Sequence, residues 1–176
     1  MKEEYYYWPA DLLVQYLVKD HHEHMLQMMK EVKTELRDLL TTYGVSYPLL
    51  HEVQRQYLQC AEALLSHLSK EAIAVLPYAK RYTQELKKQN GLRKTGFYSV
   101  CPFIDAMYTE HKSEKIHFDK LIDLMEHIDM KDNVLYQNVS LTLEEMRFCC
   151  QELIHLENDI LFPKLVEMEA TLNPIV

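Results

Sequence analysis

The sequence predicts an all-α fold, an antiparallel up-down-up-down four-helix bundle. Two observations carry that reading. Glycine is scarce, at 3 of 176 residues, and proline numbers only 6, fewer turn formers than a strand-rich fold usually needs. Apolar residues then recur at alternating steps of three and four along four long segments, the seam spacing of packed helices. A third observation bears on function: each of the four seams is interrupted by histidine or glutamate. The length suits one domain over 1–176, with a sizeable core.

The first segment spans 10–42. Pro9 precedes it, as proline does near a first helical turn. Its stripe is Val18, His22, Met25, Met29, Val32, Leu36 and Leu39, and Tyr43 to Pro48 end it with turn residues. The second segment covers 48–88, with Leu50, Val53, Tyr57, Cys60, Leu64, His67, Glu71, Ala74 and Tyr78 in line. Pro77 is expected to kink or break it, because proline lacks a donor and clashes with the preceding turn. The stretch QNGLRKTG, 89–96, reads as a loop. The third segment starts near 102 and aligns Ile104, Met107, His111, Glu114, Phe118, Leu121, Met125 and Ile128. The run DMKDN, 129–133, is a turn. The fourth segment covers 134–170, with Val139, Leu143, Met146, Cys150, Leu153, Glu157 and Ile160 on one stripe and a kink or early end expected at Pro163. HLSKEAIAVLP in the second segment and LIHLENDILFP in the fourth echo each other, both running from an acid through apolar residues into proline.

Composition excludes several function classes. A net charge of −8 argues against a nucleic-acid-binding surface. The longest apolar runs are a few residues, against the ~20 of a membrane span, so no membrane role is expected. MKEEYYYWPADLL holds acids and no apolar signal core, which points to the cytoplasm. Cys60, Cys101, Cys149 and Cys150 match neither a zinc finger nor a CxxC redox motif and read as free thiols in a reducing compartment. No Ser/His/Asp grouping or phosphate-binding glycine loop is present, so no catalytic residue is assigned.

The polar seam residues lie at matched depths. His22 is about 21 residues before the first turn and His67 about 24 after it, so both sit roughly 30 Å from the turn at ~1.5 Å per residue. His111 and Glu157 stand in the same relation to the second turn. His67 and Glu71, at i and i+4, share a helix face, as do His111 and Glu114 at i and i+3. Imidazole with carboxylate suits first-row transition metals. A lone seam histidine is more often a satisfied core residue, and a lone seam glutamate often keeps its head in water. Six such groups at one depth are hard to bury without a cation between them. His21, His24, His51, His117, His127 and His155 lie off the stripes and are expected at the surface or boundary, with His155 the best placed to orient a ligand. Glu110 is a further supporting carboxylate, and the stripe methionines are core filler. The cluster Tyr5, Tyr6, Tyr7 and Trp8 is expected to cap the bundle end or pack on a partner.

WPADLLVQYLVKDHHEHM, YGVSYP, HLSKEAIAVLPY, MYTEH and HLENDILFPK together resemble the hemerythrin-like bundle of the iron-centre repair (RIC) family, di-iron proteins linked to repair of iron–sulfur clusters after nitrosative or oxidative damage. The resemblance covers nearly the whole chain, and HLENDILFPK is its most specific part. Nothing in the chain matches the short cysteine-bearing N-terminal domain the family often carries. The resemblance implies His22, His67, His111 and the bridging carboxylates Glu71 and Glu157 as ligands of non-haem iron, two ions or one. It implies damaged iron–sulfur proteins and the diatomic molecules oxygen and nitric oxide as partners, with a homodimer left open. A sensor or carrier of diatomic gas, and a metal-free bundle acting as an interaction module, are the alternative functions.

The chain departs from the family at two places. The family's fourth helix carries a histidine ligand four residues before its glutamate, and that position here is Leu153. His155 lies about 200° round the helix from Glu157 and cannot simply substitute. Tyr43 and Tyr47 stand at the first turn where the family tends to have histidines, far enough from His22 to be structural. Glu114, one turn from His111, is the candidate to replace the ligand lost at Leu153.

Overall fold

The computed structural model describes residues 3–88 and 99–173. The loop expected over 89–96 lies outside them. The described residues form a bundle of four long helices with no strand among them. A short 3-10 turn, Glu3–Tyr7, precedes the first long helix. That helix runs through α1 (Ala10–Tyr16), a π-helical segment (Leu17–His22) and α2 (Glu23–Tyr43). The second runs through α3 (Leu49–Lys70), a π segment (Glu71–Val75) and α4 (Leu76–Lys87). The third is α5 (Cys101–Glu126), unbroken. The fourth runs through α6 (Val134–Leu156), a π segment (Glu157–Leu161) and α7 (Phe162–Leu172).

Each boundary has a local cause. Asn133 caps α6 by accepting a hydrogen bond from the Tyr136 amide at 3.0 Å, the usual service of asparagine at a helix start. Gly44 closes α2, its amide 2.8 Å from the Leu40 carbonyl oxygen. A Cβ there would lie 2.5 Å from that oxygen, so the turn needs glycine. The short connections 44–48 and 127–133 make neighbours antiparallel. Helices α2, α3, α5 and α6 pack in a ring, each against the next. At the opposite end α4 packs on both α1 and α7. The N-terminal turn folds onto this end: Tyr5 stacks on Tyr16 at 5.1 Å, Trp8 meets both rings edge-on, and Lys164 donates to the Tyr6 carbonyl at 2.6 Å. Tyr5 and Trp8 of the aromatic cluster therefore cap the bundle end, while Tyr6 and Tyr7 are exposed.

Pro77 and Pro163 do not end their helices. Each falls two residues after a π segment, where the chain shifts from i→i+4 to i→i+5 hydrogen bonding: the Leu76 amide bonds Glu71, and the Phe162 amide bonds Glu157. The wider turn absorbs the missing proline donor that would otherwise break an α-helix. It also moves the buried face. Past Glu71 the core positions are Val75, Ala79 and Tyr82, one residue later than the expected Ala74 and Tyr78, which are half-buried. In the first helix Leu17 is buried where Val18 was expected. Counting back from His22 in a regular helix, Leu17 and Leu13 would point about 140° and 180° away from it. The π segment Leu17–His22 brings both onto the buried side.

Candidate metal centre

The six ligand-type residues on the four seams are all buried. They fall into two groups whose ligand atoms lie within 4.8 Å of one another: His22, Glu71 and Glu157, and His67, His111 and Glu114. The first group has a common origin. Each of its members lies in a π segment, His22 at the end of one and Glu71 and Glu157 at the starts of the other two. Such segments are rare and concentrate at functional sites. The second group comes from regular helix, His67 on α3 and His111 and Glu114 on α5.

Glu157 lies between the groups. Its Oε2 is 2.9 Å from His111 Nε2 and 3.8 Å from His67 Nε2, while the same residue belongs with His22 and Glu71. His22 Nε2 is 3.1 Å from Glu71 Oε2, and His67 Nδ1 is 3.4 Å from Glu114 Oε1. These are close approaches without hydrogen-bond geometry. The Nε2 atoms of His22, His67 and His111, both carboxylate oxygens of Glu71 and Glu157, and Glu114 Oε1 are buried with no hydrogen-bond partner. Buried polar atoms left unpaired are costly and normally rare. A cluster of six residues with lone pairs turned inward fits a positive ion, so this donor set suits a transition metal on chemistry alone.

The electrostatics agree. Burial pushes the Glu71 carboxyl up to about 7, and the Glu157 charge adds to it. Burial likewise pushes Glu114 up to about 7, against the pull of His67 and His111. Burial also works against the charge of Glu157, but the imidazoles of His111 and His67 outweigh it and hold that carboxyl down at about 2. Burial would lower His67, yet the carboxylates of Glu157, Glu114 and Glu71 together raise it to about 9. A cation placed among these carboxylates would replace the proton as their counter-charge.

Supporting groups fix the rings. His111 Nδ1 lies 2.8 Å from Asn158 Oδ1 and can donate to it, which leaves Nε2 with a free lone pair facing the cluster. Its ring also stacks on Phe162 at 5.9 Å. Glu110 Oε2 is 3.3 Å from His67 Nδ1, and its other oxygen accepts from Lys70 at 2.6 Å. Asn158 was not foreseen. Its only signal is its place directly after Glu157, on a helix face that a seam argument ignores.

The off-stripe histidines divide. His24, His51 and His127 are exposed. His117 is half-buried, beside Gln56 at 3.0 Å. His155 pairs with Asp159 at 2.5 Å, not with a group of the cluster. His21 overturns the expectation of a surface place: it is 5% exposed, with Nδ1 3.6 Å from Cys149 Sγ and its ring edge-on to Tyr16. His21 and His22 are both buried, and both lie in the π segment Leu17–His22. Leu153 is buried at 1% exposure.

A helical bundle with histidine and glutamate groups facing one another in its core has side chains of the kind that can hold a metal ion. The comparisons with known proteins run in the same direction. The chain is 21% identical over 158 residues to the iron-sulfur cluster repair protein ScdA of Staphylococcus epidermidis, in the sequences of two strains. The match covers 89% of this chain and 66% of the relative, so the chain spans just under two thirds of those proteins. No model of a known protein family matches the chain.

Proposed function

We propose that this chain is a non-haem iron protein that acts in the repair of damaged iron–sulfur centres. The observation that carries the reading is the double cluster of buried ligand atoms without hydrogen-bond partners. The distant likeness to proteins named for iron–sulfur cluster repair supplies the direction of function. His22, Glu71 and Glu157 would hold one ion, and His67, His111 and Glu114 a second, with Glu157 shared between them. An iron pair at this place supplies reversible redox change and a source of iron for a damaged cluster.

The chain's own residues perform the rest. Asn158 and Glu110 keep the Nδ1 atoms of His111 and His67 occupied, so that both Nε2 atoms stay available. Glu71 and Glu114 carry protons in the ion-free state near neutral pH and give them up when a cation arrives. The apolar stripes exclude bulk water, which strengthens every charge interaction inside. No helix among the described residues is long and apolar enough to cross a membrane, which is compatible with a cytoplasmic partner enzyme.

The test is functional. Protein purified from iron-supplemented cells is mixed with an enzyme whose iron–sulfur cluster has been damaged by nitric oxide or peroxide. The proposal expects enzyme activity to return, and not to return with the Glu71→Ala variant. Iron bound without any restored activity would instead favour a sensor or carrier of diatomic gas.

A further inference from the structure

A cleft between α5 and α6 differs in charge from the rest of the chain. Its volume is about 480 Å³. Lys112, Lys115 and Arg147 are the charged residues among its described lining, which includes no carboxylate. The chain as a whole carries −8, and other surface cavities include acids: Glu167 lines two of them and Glu152 a third. Lys112 and Lys115 are exposed and form no ion pair among the described residues. Arg147 is pinned by Glu144 at 2.7 Å. With the Arg147 charge offset by Glu144, the two uncommitted ammonium groups beside an acid-free concavity focus positive potential there.

The remaining walls say what the anion carries. Tyr108, Phe118 and Ile154 are apolar or aromatic, and Gln151 and Asn158 offer amide donors. A volume in the range of small-molecule sites exceeds what an inorganic anion fills, and the apolar walls would remain wet around one. We propose that the α5–α6 cleft binds a small organic anion, an acid with a flat apolar body. Its carboxylate or equivalent group meets Lys112 and Lys115, and its body lies on Tyr108 and Ile154.

The site adjoins the metal cluster, because His111 itself is part of its lining. Asn158 lines the cleft and also holds His111 Nδ1 at 2.8 Å. An occupant therefore sits against the residue that orients a candidate ligand. The proposal needs no metal to be tested.

The probe is naphthalene-2-carboxylate, with its neutral carboxamide as isostere, titrated into chelator-treated protein at fixed ionic strength. Binding is followed by the side-chain amide signals of Asn158 and Gln151 in a nitrogen–proton correlation spectrum. Saturable shifts are expected for the acid, with at least about tenfold weaker binding of the carboxamide, as suits loss of a charge-assisted contact. The Lys112→Ala/Lys115→Ala variant is expected to bind the acid about as weakly as the carboxamide, while Lys30→Ala/Lys33→Ala on α2 changes nothing. Equal binding of acid and carboxamide would overturn the proposal, as would undiminished acid binding by the Lys112/Lys115 variant. Inorganic phosphate producing the same saturable shifts at similar affinity would overturn the organic class. Saturable binding in protein that fails to hold iron would leave this site standing and remove the iron reading alone.

Discussion

Leu153 is the residue at which the site departs from the pattern that the sequence resembles. It is buried on α6, one turn before Glu157, and its side chain offers no lone pair. Glu114 lies within 4.8 Å reach of His67 and His111, and Cys150 Sγ stands 3.9 Å from its Oε2. A carboxylate in that place makes the second group richer in oxygen and favours iron or manganese over softer ions. Two variants measure the consequence. Glu114→Ala is expected to lower the ions bound per chain, and Leu153→His to raise occupancy of the depleted group. Unchanged stoichiometry and affinity in Glu114→Ala, read by metal analysis after dialysis, would remove Glu114 from the ligand set. Asn158 tests the supporting layer. Asn158→Ala frees His111 Nδ1 and is expected to weaken metal affinity by roughly 10–100-fold while the helices stay folded. Wild-type affinity in that variant would show that the 2.8 Å contact orients nothing.

At the scale of elements, the π segments decide where the sequence could be read directly and where it could not. All eight seam positions expected for the third segment are buried, seven on α5 and Ile128 just past its end, and α5 is the long helix without a π segment. The six ligand-type residues were legible because interruptions of an apolar seam stand out whatever the local pitch. The turns at 44–48 and 127–133 were legible because glycine, proline and asparagine mark them. Val18, Ala74 and Tyr78 were misplaced because a fixed 100° step accumulates error once one turn takes an extra residue. His21 was misread because the buried face is wider than one stripe: Cys149 and Tyr16 cover it. Proline and the acid-to-proline echo were the visible traces of the two later segments, but they read as kinks. The first segment has no such trace in the sequence. Deleting Lys19, an exposed residue within Leu17–His22, should restore a regular helix and rotate α1 by about 100° against α2. That deletion is expected to lower the melting temperature and to weaken metal binding, whereas Lys19→Ala changes neither. A deletion variant with wild-type melting and wild-type metal content would show that the wide turn has no part in aligning His22.

For the whole molecule, the buried charges set how stability depends on pH. Glu71 and Glu114 titrate at about 7 in the folded chain, above the usual 4.5 of an unfolded glutamate. Between those values the folded chain binds more protons than the unfolded chain, so its stability falls as pH rises through that window. His67 is held at about 9 against 6.5; its contribution is full below 6.5 and is lost as pH rises to about 9. Burial pushes His21 down and opposes this trend, but only one imidazole acts that way. Chelator-treated protein should therefore melt at a lower temperature at pH 8 than at pH 5.5. Bound metal reverses the slope, because ligands must shed protons to coordinate. The gap in melting temperature between iron-loaded and metal-free protein is expected to widen from pH 5.5 to pH 8. A gap that stays constant over that range would mean that these carboxylates and His67 do not meet the ion.

The central claim is that four seams converge on buried ligands for iron. The direct measurement is the iron content of the purified wild-type chain beside His67→Ala and Glu71→Ala, with circular dichroism to show that all three are folded. The account predicts two irons per wild-type chain and a strong loss in both variants at unchanged helical content, because the apolar stripes are untouched. Iron-free wild-type protein, or variants that keep wild-type iron, would contradict it.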